Sequence, residues 1–125
     1  MRVLVVDDHL DGLDVTARLL KLEGFEVLTA TSCRDAVQAA AQQRCDLLLT
    51  DLGLPDGNGM DLLAELNRSY PIPGIAITAH SERDFVEAAQ GGGFIAHLLK
   101  PFTFADLLSV LRQAISSGDL RSAPV

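Results

Sequence analysis

The sequence predicts an α/β fold: a doubly wound parallel sheet of five strands with five helices on its two faces. Three observations carry this prediction. Short runs rich in Val, Leu or Ile alternate with segments whose apolar residues recur at helical spacing. The runs are continuous rather than alternating, as in strands buried on both faces. The connections are short, and no repeat, linker or low-complexity stretch interrupts the series. The length of 125 residues suits one domain, set at 1–117 with a short flexible polar tail at 118–125. A domain of this size buries roughly two-thirds of its unfolded surface without a disulfide or metal staple.

The elements follow in order. Arg2 to Val6 is β1. Leu10, Leu13, Ala17 and Leu20 mark helix α1, and Gly24 is its stop. Phe25 to Ala30 is β2. Thr31 or Ser32 caps α2, which runs to about Gln43 with Ala36, Val37 and Ala40 inward. Asp46 to Thr50 is β3. The loop "DLGLPDGNG" that follows is dense in turn formers, and its Gly57 and Gly59 read as loop geometry. Met60 to Arg68 is α3, broken by Pro71 and Pro73, and Gly74 to Thr78 is β4. Ser81 caps α4, from Glu82 to about Gln90, which Gly91, Gly92 and Gly93 end. Ile95 to Leu99 is β5. Beyond Pro101, Phe104, Leu107, Leu108, Leu111 and Ile115 share one face of α5.

Composition narrows the function. The formal net charge of -7 argues against direct nucleic-acid binding, which needs clustered Lys and Arg. The longest apolar runs are too short for a membrane span or a signal peptide, so a cytoplasmic location is expected. Cys33 and Cys45 sit in unrelated settings without a CxxC and read as free thiols.

In a parallel sheet the functional crevice lies at the carboxyl ends of the strands. There β1 ends in Asp7 and Asp8, β3 in Asp51, β4 in Thr78 and β5 in Lys100. In the flavodoxin-like strand order 2-1-3-4-5 these four strands are consecutive neighbours. Three carboxylates call for a hard divalent cation. Magnesium fits, because it takes few protein ligands and keeps several waters. Lys100 cannot ligate a metal and is better used as a point charge against an anion, to which Thr78 donates a hydrogen bond. Cation, ammonium and hydroxyl together describe a phosphoryl pocket. No Ser, Cys or His ends a central strand, so a carboxylate is the acceptor. Asp51, between the acidic pair and the Thr78/Lys100 side, is the one placed to touch both. His9 and His80 flank the site and read as exposed loop residues.

The segments "VLVVDD", "LLLTDLGLPDGNG", "IAITA" and "HLLKPF", in this order, resemble the response-regulator receiver domain of two-component signalling from Arg2 to about Ile115. The resemblance implies that Asp51 is the phosphoacceptor. It implies that Asp8, Asp51 and the Gly53 carbonyl bind Mg²⁺ directly, with Asp7 acting through water or by orienting the site. Thr78, the Ala79 N–H and Lys100 would hold the phosphoryl group. The Lys100–Pro101 peptide would be cis, and His9 and His80 would modulate phosphoryl lifetime. His97 stands where the family has an aromatic, so Thr78 and His97 would form the switch acting on the α4–β5–α5 surface. The implied partner is a histidine kinase or histidine phosphotransfer domain that supplies phosphohistidine. The domain would catalyse only its own phosphorylation and slow autodephosphorylation. "DLGLP" and "GFIAHLLKPF" look closest to receivers of hybrid histidine kinases. The chain would be a stand-alone regulator or a receiver from a larger protein.

Phe94, Ile95 and Ala96 read either as a docking edge, for a partner or for a homodimer through α4–β5–α5, or as packing inside the domain. Two other functions compete. A receiver fold used only as an interaction scaffold typically loses the acceptor Asp or the Lys, and both are present. An Asp-nucleophile phosphatase of the haloacid-dehalogenase type needs a second Asp two residues beyond the first, where this chain has Gly53.

Overall fold

The computed structural model describes residues 1–78 and 93–116. One parallel sheet organises them, with β1 (Arg2–Val6), β2 (Glu26–Ala30), β3 (Leu47–Asp51), β4 (Gly74–Thr78) and β5 (Phe94–Leu99). The order is β2-β1-β3-β4-β5, and every neighbouring pair is parallel. Helix α1 (Leu10–Leu22) and α5 (Phe104–Ser116) contribute to the apolar cluster on one face, through Leu13, Leu20, Leu107 and Leu111. Helix α2 (Cys33–Gln42) and α3 (Gly59–Asn67) build the other, through Ala36, Ala40, Leu62, Leu63 and Leu66. The strand residues divide between the two clusters by alternation: Leu4 and Val6 face one, Val3 and Val5 the other. That double burial is why the strands read as unbroken apolar runs. The expected α4 with its Ser81 cap, Ala79, His80, Gly91, Gly92 and the domain end with its tail lie outside the described residues. Among the described residues no helix is long and apolar enough to cross a membrane.

Local chemistry sets the element ends. Gly24 closes α1 at φ +95°, with its N–H on the Lys21 carbonyl (3.0 Å) and the Phe25 N–H on the Leu20 carbonyl (3.1 Å). This is the two-bond Schellman end that only a left-handed residue completes. Ser32 caps α2, accepting the Asp35 N–H at 3.1 Å. Asn58 caps α3 reciprocally: its Oδ1 accepts the Asp61 N–H (2.8 Å) and its Nδ2 donates to Asp61 Oδ2 (3.0 Å).

Three details depart from the sequence reading. Leu10 is 67% exposed, so the buried stripe of α1 begins at Leu13. Leu10 opens the helix at the carboxyl edge, where the sheet no longer lies beneath it. The loop after β3 holds a two-stranded antiparallel ribbon, Gly53–Leu54 against Gly57–Asn58, turning at Pro55 and Asp56. Finally, β5 carries a bulge: Gly74 pairs with Phe94, but Ile75 pairs with Ala96. The extra residue, Ile95, breaks the alternation. Phe94 therefore enters the α2/α3 cluster, while Ile95 and Ala96 both pack toward the α1/α5 side. Phe94 is thus packed inside the domain, while Ile95 and Ala96 are only partly buried.

The ribbon is tied to α2. Asp56 accepts the N–H groups of Cys33 (2.8 Å) and Arg34 (3.0 Å), two of the first-turn donors that a helix cannot satisfy itself. These two bonds hold the Asp56 carboxyl below its ordinary range. An Asp56→Ala variant is expected to lose hydrogen-exchange protection at the Cys33 and Arg34 amides, with Asp56→Asn intermediate. Unchanged exchange at both amides would show that the contact does not hold the ribbon.

Candidate phosphoacceptor site

The parallel register delivers the acidic and basic groups to one edge. Val6 lies beside Thr50, so Asp7 and Asp51 follow together at the ends of adjacent strands. Thr50 is opposite Ala76 and Thr78 is opposite Leu99, which places Lys100 next. The Lys100 N–H donates to the Thr78 carbonyl at 2.6 Å, extending the ladder by one residue. The Lys100–Pro101 peptide is cis.

Lys100 Nζ donates to Asp51 Oδ2 at 3.0 Å and to Asp7 Oδ2 at 3.3 Å, across 49 and 93 residues of chain. Asp7, Asp51 and Thr78 are buried; Asp8 is exposed. Asp51 Oδ1 is buried with no hydrogen-bond partner among the described residues. A buried carboxylate oxygen left so costs on the order of 1–3 kcal/mol, so the position favours a ligand that supplies the missing interaction.

The electrostatics have two sides. Burial, then the neighbouring Asp7, push the Asp51 carboxyl up to about 7, against the pull of Lys100. Burial would also raise Asp7, but its contacts with Asp51, the His9 amide and ring, and Lys100 together hold it below the ordinary carboxylate range. Burial works against the Lys100 charge, yet Asp51 and then Asp7 more than offset it, so the ammonium is held more firmly than usual. One ammonium is not enough for two buried carboxylates.

Asp7, Asp8, His9 and Asp51 each present a donor atom within 4.8 Å of the others. The three carboxylates and the unpartnered Asp51 oxygen fit a hard divalent ion such as Mg²⁺, which prefers oxygen. His9 was expected as a flanking loop residue. Its side chain is exposed, but its ring is turned into the site rather than capping α1. His97 is half-buried on β5, opposite Ala76, and lines a groove with Asp106, Ser109 and Val110 of α5. Gly53 lies in the ribbon beyond Asp51.

Residues 3–112 match the family model of the response regulator receiver domain. The chain belongs to this family. It is a receiver domain of two-component response regulators, a family that binds Mg²⁺ at an acidic pocket and works with histidine kinases or phosphotransfer proteins. The receiver is 35% identical over 117 residues to the transcriptional regulatory protein PdtaR of Mycobacterium tuberculosis, covering 92% of this chain and 57% of that protein. It is 32% identical over 122 residues to the KDP operon transcriptional regulatory protein KdpE of Escherichia coli K12, covering 98% of this chain and 54% of that one. This receiver therefore spans a little over half the length of those curated relatives. In structure it is similar to a CheY-like response regulator receiver domain from Methanospirillum hungatei JF-1, with a TM-score of 0.85 and 28% identity over 94% of this chain and 95% of that one. The expected likeness to receivers of hybrid histidine kinases finds no support in these relatives.

Proposed function

We propose that this receiver takes a phosphoryl group from the phosphohistidine of a histidine kinase or phosphotransfer domain onto Asp51. The observation that carries the proposal is the buried Asp51 carboxylate, with Oδ2 on Lys100 and Oδ1 without a partner among the described residues, beside two further carboxylates. Asp51 attacks phosphorus as the P–N bond to the donor imidazole breaks and a P–O bond to the carboxylate forms. Asp8, Asp51 and the Gly53 carbonyl would hold Mg²⁺, with Asp7 as their support. The bound cation would offset the acidic charge and the charge of the incoming phosphoryl oxygens.

Lys100, already on Asp51, is placed to exchange its carboxylate contact for a phosphoryl oxygen. Thr78 and the Ala79 N–H would take the remaining oxygens. Withdrawal of Lys100 and Thr78 toward the phosphoryl group would then bias His97 and the α4–β5–α5 surface. A groove of about 760 Å³ beside the site, between Val15 of α1 and Phe102, leaves room for a donor to approach. Two residues beyond Asp51 stands Gly53, which has no side chain to act as acid or base. The receiver should therefore release phosphate slowly and act as a signalling domain rather than a phosphatase. Its expected location is the cytoplasm, where phosphohistidine is made from ATP.

Acetyl phosphate with Mg²⁺ is expected to add one phosphoryl group to the intact protein, and Asp51→Asn should not be labelled. Labelling of Asp51→Asn at the wild-type level would overturn the assignment. Lys100→Ala should lose phosphorylation while keeping Mg²⁺ affinity; a large loss of Mg²⁺ binding would contradict its role as an anion partner. Rapid multiple turnover on small phosphoesters would instead favour a phosphatase.

A further inference from the structure

His9 begins as an unremarkable exposed residue between the acidic pair and α1. As the N-cap of α1 it makes no side-chain cap bond. Its Nδ1 instead lies 3.0 Å from Asp7 Oδ1, 3.3 Å from Asp8 Oδ1 and 4.0 Å from Asp51 Oδ2. The 3.0 Å contact is a hydrogen-bond distance, and the Asp51 oxygen at 4.0 Å is the one that Lys100 holds. The four groups nonetheless each bring one donor atom within 4.8 Å of the others. The buried Asp51 Oδ1, without a partner among the described residues, independently points to a ligand at this place. Three carboxylates against one Lys100 ammonium leave two negative charges, which one divalent ion neutralises.

We propose that His9 Nδ1 is a metal ligand of this site, and that it gives the receiver a preference for octahedral first-row transition ions, from Mn²⁺ to Co²⁺, over Mg²⁺. Imidazole nitrogen adds little for hard Mg²⁺ but binds transition ions progressively better along the series from Mn²⁺ to Co²⁺. Carboxylates alone would leave the choice of ion to availability. An added nitrogen donor shifts it. Because His9 is exposed, its substitution should leave the fold intact. This inference rests on the reading of Asp8, Asp51 and the Gly53 carbonyl, supported by Asp7, as the cation site.

The test uses the full chain with single metals. Pulsed electron paramagnetic resonance of the Mn²⁺-loaded protein is expected to show coupling to an imidazole ¹⁴N that disappears in His9→Ala. Calorimetric titration should show Mn²⁺ and Co²⁺ affinity falling by about tenfold or more in His9→Ala and His9→Gln, while Mg²⁺ affinity scarcely moves. Mn²⁺ and Mg²⁺ binding to wild type without ¹⁴N coupling would overturn the His9 assignment and leave the carboxylate site standing. Equal loss of both ions in the variants would also overturn it, showing that His9 only orients Asp7. If wild type binds neither ion, the cation site itself falls, and the His9 proposal with it.

Discussion

In EDTA, the wild-type protein is expected to lose stability relative to Asp51→Asn as the pH rises from 4 to 8. The cause is the folded-state value of about 7 for Asp51, raised by burial and then by Asp7 from the ordinary 3.8. Between these values the folded chain holds a proton that the unfolded chain has released, so unfolding becomes easier with rising pH. Below about pH 4 both states are protonated and the contribution is intact; above about pH 7 both are ionised and it is lost. Asp7 works in the opposite sense: its lowered value contributes stability above the ordinary carboxylate range that is lost in acid, outside this window. Lys100, raised, loses its contribution only in strong alkali. A shift of this size corresponds to about 4 kcal/mol between the two curves at pH 8. That is a large share of a small domain's stability. Mg²⁺ binds the ionised form, so its stabilisation of wild type should grow with pH, and Asp51→Asn should gain far less. Urea unfolding across this pH range, with and without Mg²⁺, measures both effects. Parallel curves for the two proteins in EDTA would mean that Asp51 ionises without penalty.

The same electrostatics explain why the site was legible in sequence. Strand-end residues are fixed by where an apolar run stops, and a parallel sheet sends all those ends to one edge. Asp7, Asp51, Thr78 and Lys100 could thus be placed together before any coordinate was known. β4 was legible to the residue, because Pro73 and Thr78 bound an unbroken apolar run. What remained hidden depends on partners distant in sequence or on side-chain rotamers. The Ile95 bulge has no mark of its own in "GFIAH"; it exists only relative to the register of β4. Asp56 looks like any turn aspartate until the α2 N-terminus, 22 and 23 residues earlier, is brought beside it. His9 was visible as a neighbour of the acidic pair, but only its rotamer turns Nδ1 into the site. The acidic pair is also unequal in its surroundings, which the sequence does not show: Asp7 is buried on Lys100, while Asp8 is exposed.

Gly59, the first residue of α3, is the most tightly packed of the three glycines that follow Asp51, and Gly59→Ala is expected to cost about 2–3 kcal/mol of stability. A Cβ there would lie 2.6 Å from the Asp51 carbonyl oxygen, 3.1 Å from Thr50 Cγ2 and 3.3 Å from Leu52 Cα. Backbone cannot swing aside as a flexible side chain can, so either α3 lifts or the end of β3 shifts. The helix start is already drawn close, since the Gly59 N–H donates to the Leu52 carbonyl at 2.9 Å. The displaced strand end is the one that aims the Asp51 carboxylate, and sub-ångström errors there matter for phosphoryl transfer. Phosphorylation by acetyl phosphate should therefore fall in Gly59→Ala even at temperatures where the variant is fully folded. The neighbouring glycines provide the control. A Cβ at Gly53 meets nothing within 4 Å, and one at Gly57 meets only Cys33 Sγ at 3.2 Å. Gly53→Ala should unfold close to wild type and Gly57→Ala should fall between them. If Gly59→Ala matches Gly53→Ala in both urea midpoint and phosphorylation rate, close packing beneath Asp51 is not what holds its carboxylate in place.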